Sequence, residues 1–216
     1  MSKECESLHH LASNLARYNF PFNENEIPLN GIYILFESGE KGHQTERVVR
    51  VGTHTGANQL RSRLRQHFIN ENKDRSIFRK NIGRSLLNRE NDPFIESWEI
   101  DLTTKISREK NSSSIDLSYQ KNIESKVSKY IQSNFNFCVF EVNNKDERLE
   151  LESKLISTIS LCKDCKPSKQ WLGNSSPKSK IVESGMWLVN ELYKTAFDTS
   201  GIERLSKFIG DKHYIR

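Results

Sequence analysis

Arg63 and His67 lie one helical turn apart, a spacing that could place two basic groups beside each other. The apolar residues of the same segment also recur at helical spacing: Leu60, Leu64 and Phe68. These three predict a buried stripe, with Arg63 and His67 along one edge of it and Arg61 on the opposite edge. We therefore expect a helix that aims an arginine and a histidine at the border of the core, where they could bind a polyanion.

Glu152 is a carboxylate that the helical pattern places on an apolar face. The arc around it consists of Leu149, Leu151, Leu155, Ile156 and Ile159. A buried carboxylate must be paired, protonated or bound to a cation, because an isolated buried charge is costly. Two interpretations stay open: a metal-binding or catalytic residue, which we favour, and a buried ion pair with a structural arginine.

The residues before the first of these helices predict a β-hairpin and a glycine-rich turn. Gly31–Phe36 carries apolar residues on both faces, which is typical of a central strand, and Val48–Val51 predicts an antiparallel partner. Arg50 interrupts that second strand and would share a face with Val48. An exposed arginine on an edge strand is the alternative. Gly52–Gly56 then breaks the strand and carries His54.

Other elements follow from periodicity and capping. A helix over Ser76–Asn88 would bury Phe78, Ile82 and Leu86 and present Arg79, Lys80 and Arg84, a cationic face that is solvated or tracks phosphates. We also expect a helix over residues 4–18 that includes Tyr18, a strand at Phe94–Leu102, a helix at Leu117–Ser133, a strand at Phe135–Val142, a helix capped by Asp146 that carries Glu152, and a final helix near Ile202–Ile209.

Composition favours a globular protein with one core and a charged surface. The chain has 216 residues, of which 35% are hydrophobic, and its net charge of +5 is a modest basic excess. No apolar run approaches the roughly 20 residues that span a bilayer, so we expect no membrane partner and a cytoplasmic location.

The cysteines give a weaker signal. Cys162-Lys-Asp-Cys165 has the spacing of half a zinc site or of a redox pair, but no second such pair and no histidine pair follow closely. We favour reduced thiols at the end of a helix.

Together these residues resemble the GIY-YIG endonuclease family. Gly31-Ile32-Tyr33 matches the first half of the signature, and Arg50-Val51-Gly52 takes the place of the second half, with arginine where the family has its second tyrosine. Leu60–Leu64 resembles the helix with the catalytic arginine, here Arg63. Leu151–Ile156 is similar to the segment with the metal-binding glutamate, here Glu152. Asn174, within Trp171–Pro177, could correspond to an active-site asparagine of some relatives.

The resemblance implies an α+β fold, a small three-stranded, mainly antiparallel sheet flanked by helices. We expect an N-terminal helical extension at 1–30, a nuclease core at 31–160 with an insertion at about 70–117, and a C-terminal extension at 161–216 that packs on the core. The inserted helices could mediate either homodimers or DNA contacts.

The resemblance also implies hydrolysis of DNA phosphodiester bonds with Mg²⁺ or Mn²⁺ on Glu152, in a restriction or mobile-element setting. Tyr33 would be the base and Arg63 would neutralise the transition state. A tyrosine is ordinarily a poor base near neutral pH, so we hypothesise that Arg50, helped by His54, favours its phenolate. His54 or His67 is the alternative base.

Arg61, Arg79, Lys80 and Arg84 are further candidates for phosphate contacts. Because Arg50 replaces a tyrosine, a catalytically silent nucleic-acid-binding module is the main rival to an endonuclease. A structural interaction protein is the third hypothesis.

Overall fold

A four-stranded antiparallel sheet forms the centre of the computed structural model, which describes residues 2–111 and 113–213. The strands are β1 (Tyr18–Asn19), β2 (Gly31–Gly42), β3 (Thr45–Gly52) and β4 (Phe135–Glu141), in the order β1-β4-β2-β3. The predicted α+β class is confirmed, and β2 is an interior strand as expected. The sheet has four strands instead of three because the short β1 pairs with β4.

Helices cover both faces of the sheet. In chain order they are α1 (Ser2–Ser13), α2 (Leu60–Phe68), α3 (Ile77–Arg89), α4 (Ile95–Glu99), α5 (Lys105–Asn111), α6 (Leu117–Asn134), α7 (Lys145–Ser160), α8 (Ser179–Ser184) and α9 (Thr199–His213). One core lies between the sheet and α1, α7 and α9, and the other between the sheet and α2, α3 and α6. The final helix predicted from the sequence is thus confirmed. In the part of the chain that the structure describes, no helix is both long and apolar enough to cross a membrane.

The predicted extensions and insertion share these cores. Residues of α1 and α9 pack on one face of the sheet, and residues of α3 pack on the other. The division at 31–160 stays a prediction.

A β-bulge in β3 decides where Arg50 points. Leu35 pairs with Arg50, but the next residue of β2, Phe36, pairs with Val48, so Val49 is an extra residue in β3. The side-chain alternation therefore slips by one position. Our expectation that Arg50 shares a face with Val48 is wrong: Val48 belongs to the core beside α1, whereas Arg50 contacts Tyr33 on the other face.

Three local predictions need correction. The first helix ends at Ser13 instead of residue 18, since Arg17 Nη1 donates to the Ala12 carbonyl (2.8 Å) and Tyr18 joins β1. The residues predicted as a strand at Phe94–Leu102 contain the helix α4. The N-cap of α7 is Asn144, whose side chain accepts from the Glu147 N–H (3.0 Å), and not Asp146.

Trp98 explains the helix that replaces the predicted strand. Its indole is fully buried against Gly83, where an added Cβ would lie 2.3 Å from the ring, and its Nε1–H donates to the Lys80 carbonyl (3.0 Å). The helical backbone of α4 thus places the Trp98 side chain against α3.

The cationic face of α3 is not solvated as expected. Arg79 is fully buried and its Nη2 lies 2.8 Å from Glu124 Oε2, while Arg84 is buried and donates to both carboxylate oxygens of Glu99. Lys80 Nζ donates to the Glu99 carbonyl (2.8 Å). These contacts hold α3 against α6 and α4.

We predict that Arg79→Ala lowers the free energy of unfolding by about 3–5 kcal/mol, because it leaves the Glu124 carboxylate buried without its cation. Urea denaturation followed by circular dichroism measures this. The matched control is Arg75→Ala, whose side chain is exposed and whose loss should change stability by less than about 0.5 kcal/mol. Equal stability of the two variants would contradict the assignment.

Candidate active site

Arg63 and Glu152, far apart in the sequence, line one cavity of about 280 Å³. The cavity lies between the loop after β3, one face of α2 and the first half of α7. His54, Gln66 and Thr53 also line it. Its walls are therefore polar and carry one carboxylate, one guanidinium and one imidazole.

Glu152 is half-buried and accepts a hydrogen bond from the Thr53 backbone N–H at Oε1 (3.0 Å). Burial raises the pKa of its carboxyl, while the positive charges of Arg50 and Arg63 and the Thr53 N–H act in the opposite direction. Its direct partner is thus a backbone amide, with the two arginines at longer range. This arrangement favours a carboxylate that accepts a cation over one held in a structural ion pair.

Arg63 is held at the cavity wall by one end of its guanidinium. Nη1 donates to Gln66 Oε1 (3.1 Å) and to the Arg75 carbonyl (3.3 Å). In the part of the chain that the structure describes, both of its hydrogen bonds use Nη1. Because a guanidinium has five N–H donors, the Nε and Nη2 groups can bind an anion that enters the cavity.

Beneath the cavity, Tyr33 lies in a chain of buried hydrogen bonds. Arg50 Nε donates to the tyrosine oxygen (3.4 Å), which lies 2.8 Å from His67 Nε2, and His67 Nδ1 lies 2.7 Å from Ser76 Oγ. Arg50 can only donate, so the tyrosine oxygen accepts from it. In the tautomer of His67 that carries its proton on Nδ1, Nε2 accepts from the tyrosine hydroxyl and Nδ1–H donates to Ser76.

Burial keeps His67 neutral. Loss of hydration lowers the pKa of the imidazole well below its usual value, and Arg50, Arg63 and Arg79 lower it further. A neutral His67 with an unprotonated Nε2 can accept a hydrogen bond from the Tyr33 hydroxyl, but its lowered pKa opposes transfer of the proton itself.

Arg50, the residue that we matched to the family's second tyrosine, is buried, which rules out the exposed-edge alternative. Nη1 donates to the Trp187 carbonyl, and the guanidinium lies 5.3 Å from the centroid of the Phe78 ring. The Trp187 N–H in turn donates to the Val49 carbonyl (2.8 Å). The Trp187 segment therefore covers the edge of β3 that pairs with no other strand in the described part of the chain.

His54 takes a different place from the one we expected. Nδ1 donates to the Gly56 carbonyl (2.6 Å), and Nε2 accepts a long bond from the Gly31 N–H (3.4 Å). It is therefore His67, and not His54, that contacts Tyr33. Burial lowers the pKa of His54, which favours its neutral form at the cavity wall.

The other predicted nucleic-acid contacts lie outside this cavity. Arg61 Nε donates to the Ile27 carbonyl (2.7 Å) and thereby holds the segment before β2. Arg79, Lys80 and Arg84 are engaged in the contacts that anchor α3. Asn174 donates to the carbonyls of Ser168 and Lys169 within its own turn.

Sequence reasoning missed three positioning residues. Arg148, one turn before Glu152, donates from Nε and Nη2 to the His54 carbonyl (3.3 and 3.2 Å) and ties the loop to α7. Ser76 is the N-cap of α3 and also bonds His67. Thr53 orients Glu152. The capping pattern before Phe78 identifies Ser76, but no local signal identifies the partners of Arg148 or Thr53.

Comparison with known families agrees with this geometry. A family model described as the GIY-YIG domain matches residues 6–214, so the chain belongs to the GIY-YIG family. This is a family of nucleases that generally depend on a divalent metal ion. No curated protein and no solved structure matches the chain.

We predict that Gly52→Ala disrupts the buried hydrogen-bond chain. An added Cβ would lie 2.2 Å from the Tyr33 oxygen, so the tyrosine must move or the strand must shift. Overpacking of this kind typically lowers the free energy of unfolding by about 1–3 kcal/mol. Gly210→Ala in α9 is the control, because nothing lies within 4 Å of its added Cβ and alanine favours a helix. Thermal and urea denaturation compare them, and an unchanged Gly52→Ala protein would refute the close packing.

Proposed function

We propose that this protein is a divalent-metal-dependent endonuclease that hydrolyses phosphodiester bonds of DNA at the Arg63–Glu152 cavity. The observation that supports this most strongly is that a cation and a carboxylate from α2 and α7 face one polar cavity. The membership in a nuclease family supplies the reaction class. The restriction or mobile-element role and the cytoplasmic location stay predictions.

Arg63 is the residue that we propose to bind the scissile phosphate. Charge builds up on the phosphate oxygens as the attacking water adds, and a prepositioned guanidinium stabilises that charge. The bonds of Nη1 to Gln66 and Arg75 fix the side chain before substrate arrives. Little reorganisation is then needed in the transition state.

Glu152 is the residue that we propose to hold Mg²⁺ or Mn²⁺. One carboxylate in a polar cavity fits a hard cation that keeps several water ligands and takes others from a phosphate. The half-buried position, together with the raised pKa of its carboxyl, also fits, because a bound cation would compensate for the lost hydration. When bound, such an ion supplies charge stabilisation at the phosphate.

Tyr33 is the group that we propose to activate water, with His67 as its partner. The phenolate of Tyr33, formed by loss of the hydroxyl proton to solvent and stabilised by the Arg50 guanidinium, would accept a proton from water. The hydroxyl is fully buried beneath Gly52. This role therefore requires that DNA binding moves the Gly52–Thr53 backbone.

His54 is the rival base, because it is the histidine that lines the cavity. In its favour, the Gly56 carbonyl holds its proton on Nδ1, burial favours its neutral form, and it needs no backbone movement. Its Nε2 would have to exchange the long bond from Gly31 for a water molecule.

Separate substitutions distinguish the two bases. We predict that Tyr33→Phe lowers the single-turnover cleavage rate by about 10²-fold or more, the usual effect of losing a general base, whereas His54→Ala keeps most of the rate. Quenched-flow assays with excess enzyme measure this step. A full rate for Tyr33→Phe combined with a large loss for His54→Ala would move the base to His54.

The function itself is tested by incubating supercoiled plasmid DNA with the purified chain and Mg²⁺. We expect cleavage by the wild type and a loss of about 10²–10³-fold in Arg63→Ala, as for removal of one oxyanion-stabilising donor. Glu152→Gln should lose cleavage but keep DNA binding in a gel-shift assay. Circular dichroism confirms that each variant is folded.

Two matched controls come from the same helices. Arg65→Ala removes an exposed arginine of α2 that pairs with Glu24, and Glu150→Gln removes an exposed carboxylate of α7 that pairs with Lys154. Both should cleave at nearly the wild-type rate. If the wild type binds DNA but does not cleave it, the binding-only hypothesis is favoured. The buried Tyr33 hydroxyl and the presence of arginine at position 50 are the observations that support this rival hypothesis.

A further inference from the structure

Three cysteines and one histidine from distant parts of the chain meet at the turn of the β2–β3 hairpin. They are Cys5 of α1, His43 of the turn, and Cys162 and Cys165, which follow α7. One ligand atom from each residue lies within 4.8 Å of the other three. All three cysteines are buried and free.

Two distances within this cluster are close to the edges of a tetrahedral metal site. Cys5 Sγ lies 3.6 Å from Cys165 Sγ, and Cys162 Sγ lies 3.3 Å from His43 Nε2. In a zinc site with Zn–S bonds of about 2.3 Å and Zn–N bonds of about 2.0 Å, the S···S and S···N edges of the tetrahedron are about 3.8 Å and about 3.5 Å. The two observed contacts are close to these lengths.

The backbone around the cluster is shaped to bring these groups together. His43 and Gln44 form the hairpin turn with φ of 51° and 62°, a left-handed conformation that is uncommon for residues other than glycine. Gly42 lets the turn approach the cysteine loop, since an added Cβ would lie 3.1 Å from Cys165 Cβ. The Asp164 N–H donates to Cys162 Sγ (3.4 Å), a bond that would support a thiolate.

A neighbouring histidine lies outside the ligand set. His9 Nδ1 donates to the Cys5 carbonyl (2.9 Å), and Nε2 accepts from the Val48 N–H (3.2 Å). Both ring nitrogens are thus engaged with backbone, and the ring positions the turn of α1 that carries Cys5.

We propose that Cys5, His43, Cys162 and Cys165 bind one zinc ion as a structural site. Four soft or borderline ligands complete a tetrahedral shell and leave no position for substrate, which distinguishes structural from catalytic zinc. The Cys162–Cys165 spacing therefore is half of a zinc site, and the fold supplies the other half from Cys5 and His43.

This site differs in place and chemistry from the proposed cleavage site. The cluster lies at the turn of the hairpin, whereas Tyr33 and Gly52 pair at its open end. Thiolate and imidazole ligands select zinc, while the carboxylate of Glu152 suits magnesium. Binding would release a proton from each of the three thiols and would join α1, the hairpin turn and the end of α7.

The first experiment measures metal in the full chain. Protein from zinc-supplemented growth is dialysed without chelator, and zinc and protein are quantified by plasma mass spectrometry. We expect about one zinc ion per chain, as for a structural site with four protein ligands. Replacement by Co²⁺ should give the absorption of tetrahedral cobalt with thiolate charge transfer. Wild-type protein with no zinc and no such cobalt spectrum would overturn the proposal.

Variants then test the ligand set. Cys162→Ser and His43→Ala should weaken zinc binding at least about tenfold in competition with a chromophoric chelator, a loss that even outer-shell changes can cause. Cys138→Ala removes a buried cysteine of β4 outside the cluster, and His10→Ala removes an exposed histidine of α1. Both controls should bind zinc like the wild type.

Two outcomes would contradict the ligand assignment. One is a loss of zinc in Cys138→Ala that equals the loss in Cys162→Ser. The other is zinc binding of wild-type strength in both Cys162→Ser and His43→Ala. If a ligand variant does not fold, the cobalt spectrum of the wild type still decides the question. Zinc content is measured without DNA, so its result is independent of nuclease activity.

Discussion

The buried charge of Arg50 is the constraint on which the site depends. A guanidinium inside a protein must have its donors satisfied, and here the Tyr33 oxygen and the Trp187 carbonyl satisfy them while the Phe78 ring covers it. The first bond places a positive charge beside the tyrosine hydroxyl. The second holds the Trp187 segment on the edge of β3. One buried arginine thus determines both the electrostatic surroundings of Tyr33 and the cover of an edge strand.

Local periodicity was sufficient to predict α2 and α7, the two helices that carry Arg63 and Glu152. The apolar stripe of α2 predicts that Arg63 and His67 lie at the border of the core, and the arc of α7 predicts the half-buried position of Glu152. These predictions succeed because a helix fixes the angle between its own residues. That Arg63 and Glu152 face each other was expected only from the family resemblance, since no local rule relates α2 to α7.

The failures have a common physical cause, which is that buried polar groups find partners far away in the sequence. A one-residue bulge in β3 reverses the side on which Arg50 lies, and only pairing with β2 reveals it. Arg79 was expected on a solvated face because its partner Glu124 belongs to α6. The free thiols after α7 agree with the prediction of reduced cysteines, but the two further ligands of the proposed zinc site, Cys5 and His43, are also distant in the sequence.

The hairpin and α7 together connect the two sites. α7 carries Glu152 in its first half, and Cys162 follows its last residue, Ser160, about 12 Å further along the helix axis at 1.5 Å per residue. A zinc ion at Cys162 would therefore fix the end of the helix that carries Glu152, the proposed magnesium ligand. A strong chelator such as EDTA would then remove both proposed metals, and lost cleavage could reflect a displaced α7 as well as an absent magnesium ion. Restoration of cleavage by Mg²⁺ alone, in protein whose zinc content is known, separates these effects, because a lone carboxylate site suits the hard cation whereas thiolates select zinc.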